Sequence, residues 1–181
     1  DTLYAFLAGY DRFGNYIADF NANWEVSPDS LGSFAGAGSD STGVSAIAYR
    51  ATKSGRFILY ADELSESLSD FTGNIVVAPA AAEDLVLVSG NNQTGVAGSV
   101  LGLPLVVVIE DFLGNGVPGE EIVFKALHGG NFSGSDSISL TSSANGFASA
   151  FYKLRSSSGP DSVLVYANGI DSLIFNFNAI P

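Results

Sequence analysis

Asp11-Arg12-Phe13-Gly14-Asn15 recurs 100 positions later as Asp111-Phe112-Leu113-Gly114-Asn115, and the residues around the two copies keep step. Trp24 matches Phe124, Gly32-Ser33-Phe34 matches Gly130-Asn131-Phe132, and Tyr49 matches Tyr152. Gly55 matches Gly159, and Tyr60-Ala61 matches Tyr166-Ala167. The offset drifts only between 98 and 106, as it does when strands hold register and insertions fall in loops. A period of this length leaves few folds open: one unit of about a hundred residues is built twice in series. The expected domains are residues 1–79 and 80–181. In each copy of the motif, Gly and Asn tolerate a left-handed backbone and Asp can bond to the backbone two residues on. The motif therefore predicts a tight strand-to-strand connection.

The intervening stretches have the period of strands. Asn21 to Val26 alternates polar and apolar, which sets Ala22, Trp24 and Val26 on one face; Ile122, Phe124 and Ala126 do the same later. No stretch sustains a helical period, and short apolar runs recur between Gly, Pro, Asn and Ser clusters. This predicts an all-β fold of two antiparallel β-sandwiches. Residues 36–43 and 62–70 read as loops, and 71–77 as the last strand of the first copy. Residue 1 corresponds to residue 101, so the first copy lacks a counterpart to Glu83–Val100. That segment reads as a first strand that kinks into the body of its domain. The first repeat is thus expected to be N-terminally incomplete: either the chain is a piece of a longer array, or something outside it fills the gap. Ala78-Pro79-Ala80-Ala81-Ala82 reads as a short, stiff linker.

Charge and composition narrow the function. The chain holds 19 acidic and 7 basic residues, a net charge of −12, and the excess divides equally between the two copies. Phosphate backbones repel such a chain, so nucleic acid is not an expected partner. There is no cysteine, hence neither a disulfide nor a thiolate metal site. The apolar runs are short and broken, so no membrane insertion is expected in this segment. Methionine is absent and the chain opens on Asp1, which suggests a processed or excised piece. Charged residues are only 14% of the whole while Gly, Ser and Asn abound, a composition that suits an extracellular, cell-surface protein.

The second copy carries a more specific pattern: Gly98-x-x-x-Gly102-x-Pro104-Leu105-Val106-Val107-Val108, then Asp111-x-x-Gly114-Asn115-x-Val117-Pro118-Gly119-x-x-Ile122-x-Phe124. It resembles the bacterial immunoglobulin-like repeats of the invasin and intimin adhesins. Asn145-Gly146-Phe147-Ala148 and Val165-Tyr166-Ala167 fit the same pattern. The resemblance covers 83–181 and, through the internal repeat, 1–79, where Tyr16-Ile17-Ala18-Asp19 departs from Gly116-Val117-Pro118-Gly119. It implies tandem immunoglobulin-like sandwiches, neighbouring repeats as partners, and a stalk or adhesive role, and it carries no catalytic residue across. Two other readings stay open. One is a surface filament or surface-layer subunit whose missing strand comes from a neighbouring subunit. The other is an accessory carbohydrate-binding module of a secreted enzyme.

Chemistry-bearing residues are few. His128 is the only histidine, and in Leu127-His128-Gly129-Gly130 it reads as a turn residue, with no catalytic site expected. Glu110, Asp111, Glu120 and Glu121 flank one connection. Glu83 and Asp84 form another acidic pair, with Asp62, Glu63 and Glu66 near the junction. Such oxygen clusters are calcium candidates, although no Asp-x-Asp-x-Asp-Gly loop is present and no cofactor is expected. Asn92-Gln93-Thr94 and Asn131-Phe132-Ser133 match the glycosylation acceptor pattern. Trp24, Phe124, Tyr49 and Tyr152 recur at matched strand positions, which points to packing and not to sugar stacking.

Overall fold

The computed structural model describes residues 2–35, 40–44, 46–63 and 68–181. By its internal contacts the chain divides into two compact units, Asp1–Ala78 and Pro79–Pro181.

The first unit runs through β1 (Thr2–Phe6), β2 (Ala8–Tyr10), β3 (Tyr16–Asp19), β4 (Ala22–Ser27) and β5 (Gly32–Phe34). It continues with β6 (Asp40–Val44), β7 (Ala46–Ala51), β8 (Gly55–Glu63), β9 (Ser69–Phe71) and β10 (Ile75–Val77). One sheet has the order β1-β7-β5 and the other β10-β8-β4-β6, with β9 also on β8; β2 and β3 form a hairpin around the first Asp turn. The alternation of β4 buries Ala22, Trp24 and Val26, which meet Phe57, Leu59 and Ala61 of β8 and Phe34, Ile47 and Tyr49 of the facing sheet.

The second unit repeats this plan with β11 (Asp84–Ser89), β12 (Gln93–Val96), β13 (Leu105–Glu110), β14 (Glu121–Ala126), β15 (Ser137–Thr141), β16 (Phe147–Ala150), β17 (Gly159–Ala167) and β18 (Leu173–Ile180). Its sheets are β11-β13-β16 and β12-β18-β17-β14-β15. Leu105, Val107 and Ile109 of β13 pack with Ile122, Phe124, Val163, Val165, Phe175 and Phe177 in one buried cluster. A single segment edges both sheets. It pairs antiparallel to β13 as β11, bends, and then runs parallel to β18 as β12. The bend needs Gly90: its φ is 95°, and a Cβ there would lie 2.2 Å from the Pro104 carbonyl oxygen. Each unit is an immunoglobulin-like β-sandwich. Among the described residues the sole helical piece is the 3-10 turn Asp29–Leu31, and no helix is long and apolar enough to cross a membrane.

Several sequence expectations need correction. Residues 40–44, read as loop, form β6 against β4, while 36–39 lie outside the described residues. Of residues 62–70, also read as loop, Asp62 and Glu63 belong to β8 and β9 begins at Ser69, while 64–67 lie outside the described residues. The last strand of the first copy is interrupted at 72–74, leaving Ile75–Val77 on β8. β15 has no counterpart among the strands expected from the sequence. Its apolar positions, Ile138 and Leu140, alternate with serines that mimic loop composition.

Candidate functional site

The repeated Asp turn has two environments. Asp111 is 2% exposed. Its Oδ1 accepts the backbone N–H groups of Leu113 and Asn115, each at 2.9 Å. Its Oδ2 accepts the Asn115 side-chain amide and the Ala80 backbone N–H, again each at 2.9 Å. Ala80 belongs to the lead-in to β11, so this carboxylate fastens the start of the second unit to its own β13 turn. Burial pushes the acid's pKa up, but the hydrogen bonds from Asn115, Ala80 and Leu113 outweigh it and hold the group below the ordinary carboxylate value. Asp11 makes the same local bonds to Phe13 and Asn15 on an exposed turn. Its pKa is lowered chiefly by the Asn15 side-chain bond.

A second matched pair diverges further. Gly55 pairs with Val77 as Gly159 pairs with Ala179, so Phe57 occupies the register position of Asp161. Tyr152 donates its hydroxyl to Asp161 Oδ1 at 3.0 Å. The same carboxylate accepts Ser162 N–H at 2.8 Å and Arg155 N–H at 2.9 Å. Burial, reinforced by the Asp161 charge, raises the Tyr152 pKa far above its ordinary value. Tyr49 sits in an equivalent aromatic stack, 5.3 Å from Phe34 where Tyr152 is 5.1 Å from Phe132. Its buried hydroxyl has no hydrogen-bond partner among the described residues. Because an unpaired buried hydroxyl is a cost and a made bond a gain, the two tyrosines should respond oppositely to the same change. Tyr152→Phe is expected to destabilise its unit by about 2 kcal/mol, and Tyr49→Phe to leave stability unchanged or raise it by up to about 1 kcal/mol. Urea denaturation of each variant checks this.

Several of the remaining candidates are held by their own surroundings. Among the described residues no three Asp, Glu or His side chains come together as a metal site. Asp111 is committed to its turn, and Glu121 accepts the Ser139 hydroxyl. Glu66 lies outside the described residues. His128 is exposed, as its turn setting predicted, and its Nδ1 lies 2.9 Å from Ser162 Oγ. Ser162 is buried on β17, and its carbonyl accepts Leu127 N–H at 3.0 Å. The Ser–His contact thus closes a strand end onto β17. Asn131 is half-buried and its Oδ1 holds Gly134 N–H at 2.8 Å, whereas Asn92 is exposed. Of the two acceptor triplets, Asn92 is the more open. Trp24, Phe124, Tyr49 and Tyr152 are all core residues, at 4%, 0%, 1% and 0% exposed.

The described residues line shallow hollows, of which two bear on the candidates. One, of about 220 Å³, is lined by Asn92, Gln93, Thr94, Asn176, Phe177 and Asn178. Gln93 is spent within the fold: its amide donates to the Gly90 and Leu103 carbonyls and its oxygen accepts Leu103 N–H. The other, of about 390 Å³, lies beside Tyr4, Phe6 and Ala46 in the first unit. Sequence reading missed the roles of Gln93 and Asp161. A signal for Asp161 was present, since the repeat offset sets an acid opposite a phenylalanine at one strand position.

The units also differ at their edges. In the second, β13 lies between β11 and β16, and β18 between β12 and β17. In the first, the corresponding β1 and β10 are edge strands among the described residues. Burial follows pairing. Leu105, Val107, Phe177 and Ala179 are buried, while their counterparts Ala5, Leu7, Ile75 and Val77 are half-exposed.

No family model and no curated protein matches the chain. Similar solved structures include the Yersinia pseudotuberculosis adhesin InvE, at 16% identity and a TM-score of 0.47 over 100% of this chain and 55% of that one. They also include domains 4 and 5 of the S-layer protein SbsC, at 12% identity and a TM-score of 0.44 over 96% and 80%. A third is the D0-D1 segment of intimin, at 13% identity and a TM-score of 0.37 over 96% and 88%.

Proposed function

We propose that this chain is a structural segment of an extracellular, cell-surface protein, two sandwiches in series acting as a stalk without catalytic chemistry. The supporting observation is the use made of its polar side chains. Asp111, Asp161, Gln93 and His128 each bond within their own unit, tying turns and strand ends to a buried core. Residues spent this way stiffen a bead and leave little for turnover. In a stalk the array holds a distal binding element away from the cell, and neighbouring repeats are the partners. Stretching the chain by its ends in a force spectrometer tests this. Two discrete unfolding events are expected, the larger releasing roughly 300 Å. A smooth extension without discrete events would contradict a stalk of rigid beads.

A surface filament or surface-layer subunit is the second reading, favoured by the edge strands β1 and β10. Light scattering separates the two: a stalk segment stays monomeric, and a strand-exchanging subunit polymerises with concentration.

A further inference from the structure

We propose that β15 is a docking edge for a second copy of this chain, pairing antiparallel with its own counterpart about a two-fold axis at Ser139. β15 ends its sheet among the described residues, and its ladder with β14 runs from Ser137 to Thr141 without a register shift. At the two ends of that ladder, Ala126 N–H bonds to the Asp136 carbonyl and Ser142 N–H to the Glu120 carbonyl. Alternation between these bonds turns the backbone groups of Ile138 and Leu140 toward β14 and those of Ser137, Ser139 and Thr141 outward. Ser137 N–H has a long 3.4 Å contact with Ser135 Oγ. The other outward groups have no partner among the described residues.

The neighbouring edges are guarded. β11 opens on Asp84 and shifts register between Leu87 and Ser89. On β16, Phe147 N–H is taken by Ser143 Oγ and its carbonyl by Ser143 N–H. β12 is short and contains Gly95. In the first unit β6, which holds the place of β15, pairs with β4 through a register shift between Ala22 and Trp24. β15 carries no charge, proline or bulge, the devices that keep sheet edges apart.

Register and side chains select the occupant. The outward residues are centred on Ser139, so the edge is complementary to itself. A two-fold axis there sets Ser139 against the second copy's Ser139, and Ser137 against the second copy's Thr141. Every outward N–H and C=O then finds a partner. Between them, Ile138 faces the second copy's Leu140 on the core side, where both are only half-buried in the single chain. Hydroxyl meets hydroxyl and apolar meets apolar, while a slip of one residue would set serine against isoleucine or leucine. Lys125, beside Ser137, also enters one row with the second copy's Glu121, beside Thr141. Parallel pairing would turn the second sheet over and put its Ile138 and Leu140 on the solvent face.

So short an edge buries little, and the pair is expected to be weak, with a dissociation constant of roughly 0.1–1 mM. It closes at two copies. At micromolar concentration it is dissociated, and it acts where chains stand side by side. The pairing does not rest on the stalk reading, since a chain without discrete unfolding events can still pair through β15.

The test is sedimentation equilibrium of residues 1–181 up to about 1 mM protein, at about 0.15 M salt to screen the net charge of −12. A monomer–dimer equilibrium without larger species is expected. Amide exchange at Ser137, Ser139 and Thr141 should slow about twofold or more between dilute and concentrated samples. Ser139→Lys and Ser139→Glu each place like charges opposite one another, and each should weaken dimerisation at least about tenfold while leaving the chain folded. Mixing the two variants should restore the dimer, because position 139 faces itself. The absence of a dimer at the highest concentration, a dimer unchanged in either variant, or a mixture that stays monomeric would overturn the proposal. Growth beyond two copies, or slowed exchange on β1 and β10 in place of β15, would also overturn it and assign the association to the first unit.

Discussion

Asp111→Ala is expected to destabilise the second unit by about 3 kcal/mol, measured by chemical denaturation. The buried carboxylate accepts three backbone N–H groups and a side-chain amide. Its loss leaves buried donors unsatisfied, at roughly 1–3 kcal/mol for a group of this kind, and frees the lead-in at Ala80. Asp11→Ala should cost far less, since water replaces the bonds of an exposed turn. The two copies therefore share a motif but not an energetic role. The same group sets a pH dependence. Because the folded Asp111 carboxyl titrates below its unfolded value, its contribution is fully present above about pH 4 and is lost as the pH falls through the folded value. Asp111→Asn should flatten that acid limb in a pH series of denaturation curves.

Gly146→Ala should be comparably damaging, at about 3 kcal/mol or more. Gly146 has a φ of 80°, and a Cβ there would lie 2.5 Å from the Ile109 carbonyl oxygen and 2.7 Å from Gly116 Cα. Neither is the end of a flexible side chain, so the β13–β16 ladder itself must move. The expected cost adds left-handed strain of about 1–2 kcal/mol to an overpacking cost of about 1–3 kcal/mol. Gly114 isolates the first contribution: its φ is 77°, and a Cβ there would meet nothing within 4 Å. Gly114→Ala should therefore cost only about 1 kcal/mol, and the difference between the two variants measures the backbone contact.

The parts of this fold legible in the sequence are those where period and turn chemistry agree. Alternation in β4 and β14 located the core faces, and the paired Asp turns fixed the spacing of the units. The immunoglobulin-like pattern concentrated at Pro104–Phe124, where edge-forming and core-forming residues sit close together. Hidden parts have physical reasons. β6 and β15 run through Gly- and Ser-rich stretches whose composition mimics loop, and their pairing comes from neighbouring strands. The parallel pairing of β12 depends on where the chain goes after Gly90, which local sequence does not encode. The Ser162–His128 contact joins positions far apart in sequence. The orphaned Tyr49 hydroxyl could have been inferred, because Phe57 stands where the other copy has Asp161.

One sandwich is built twice, each copy with its own core. Differential scanning calorimetry of the 181-residue chain with Trp24→Ala and Asp111→Ala tests it most directly. Two transitions are expected, with Trp24→Ala lowering only the first unit's and Asp111→Ala only the second's. A single transition that both substitutions shift together would contradict it.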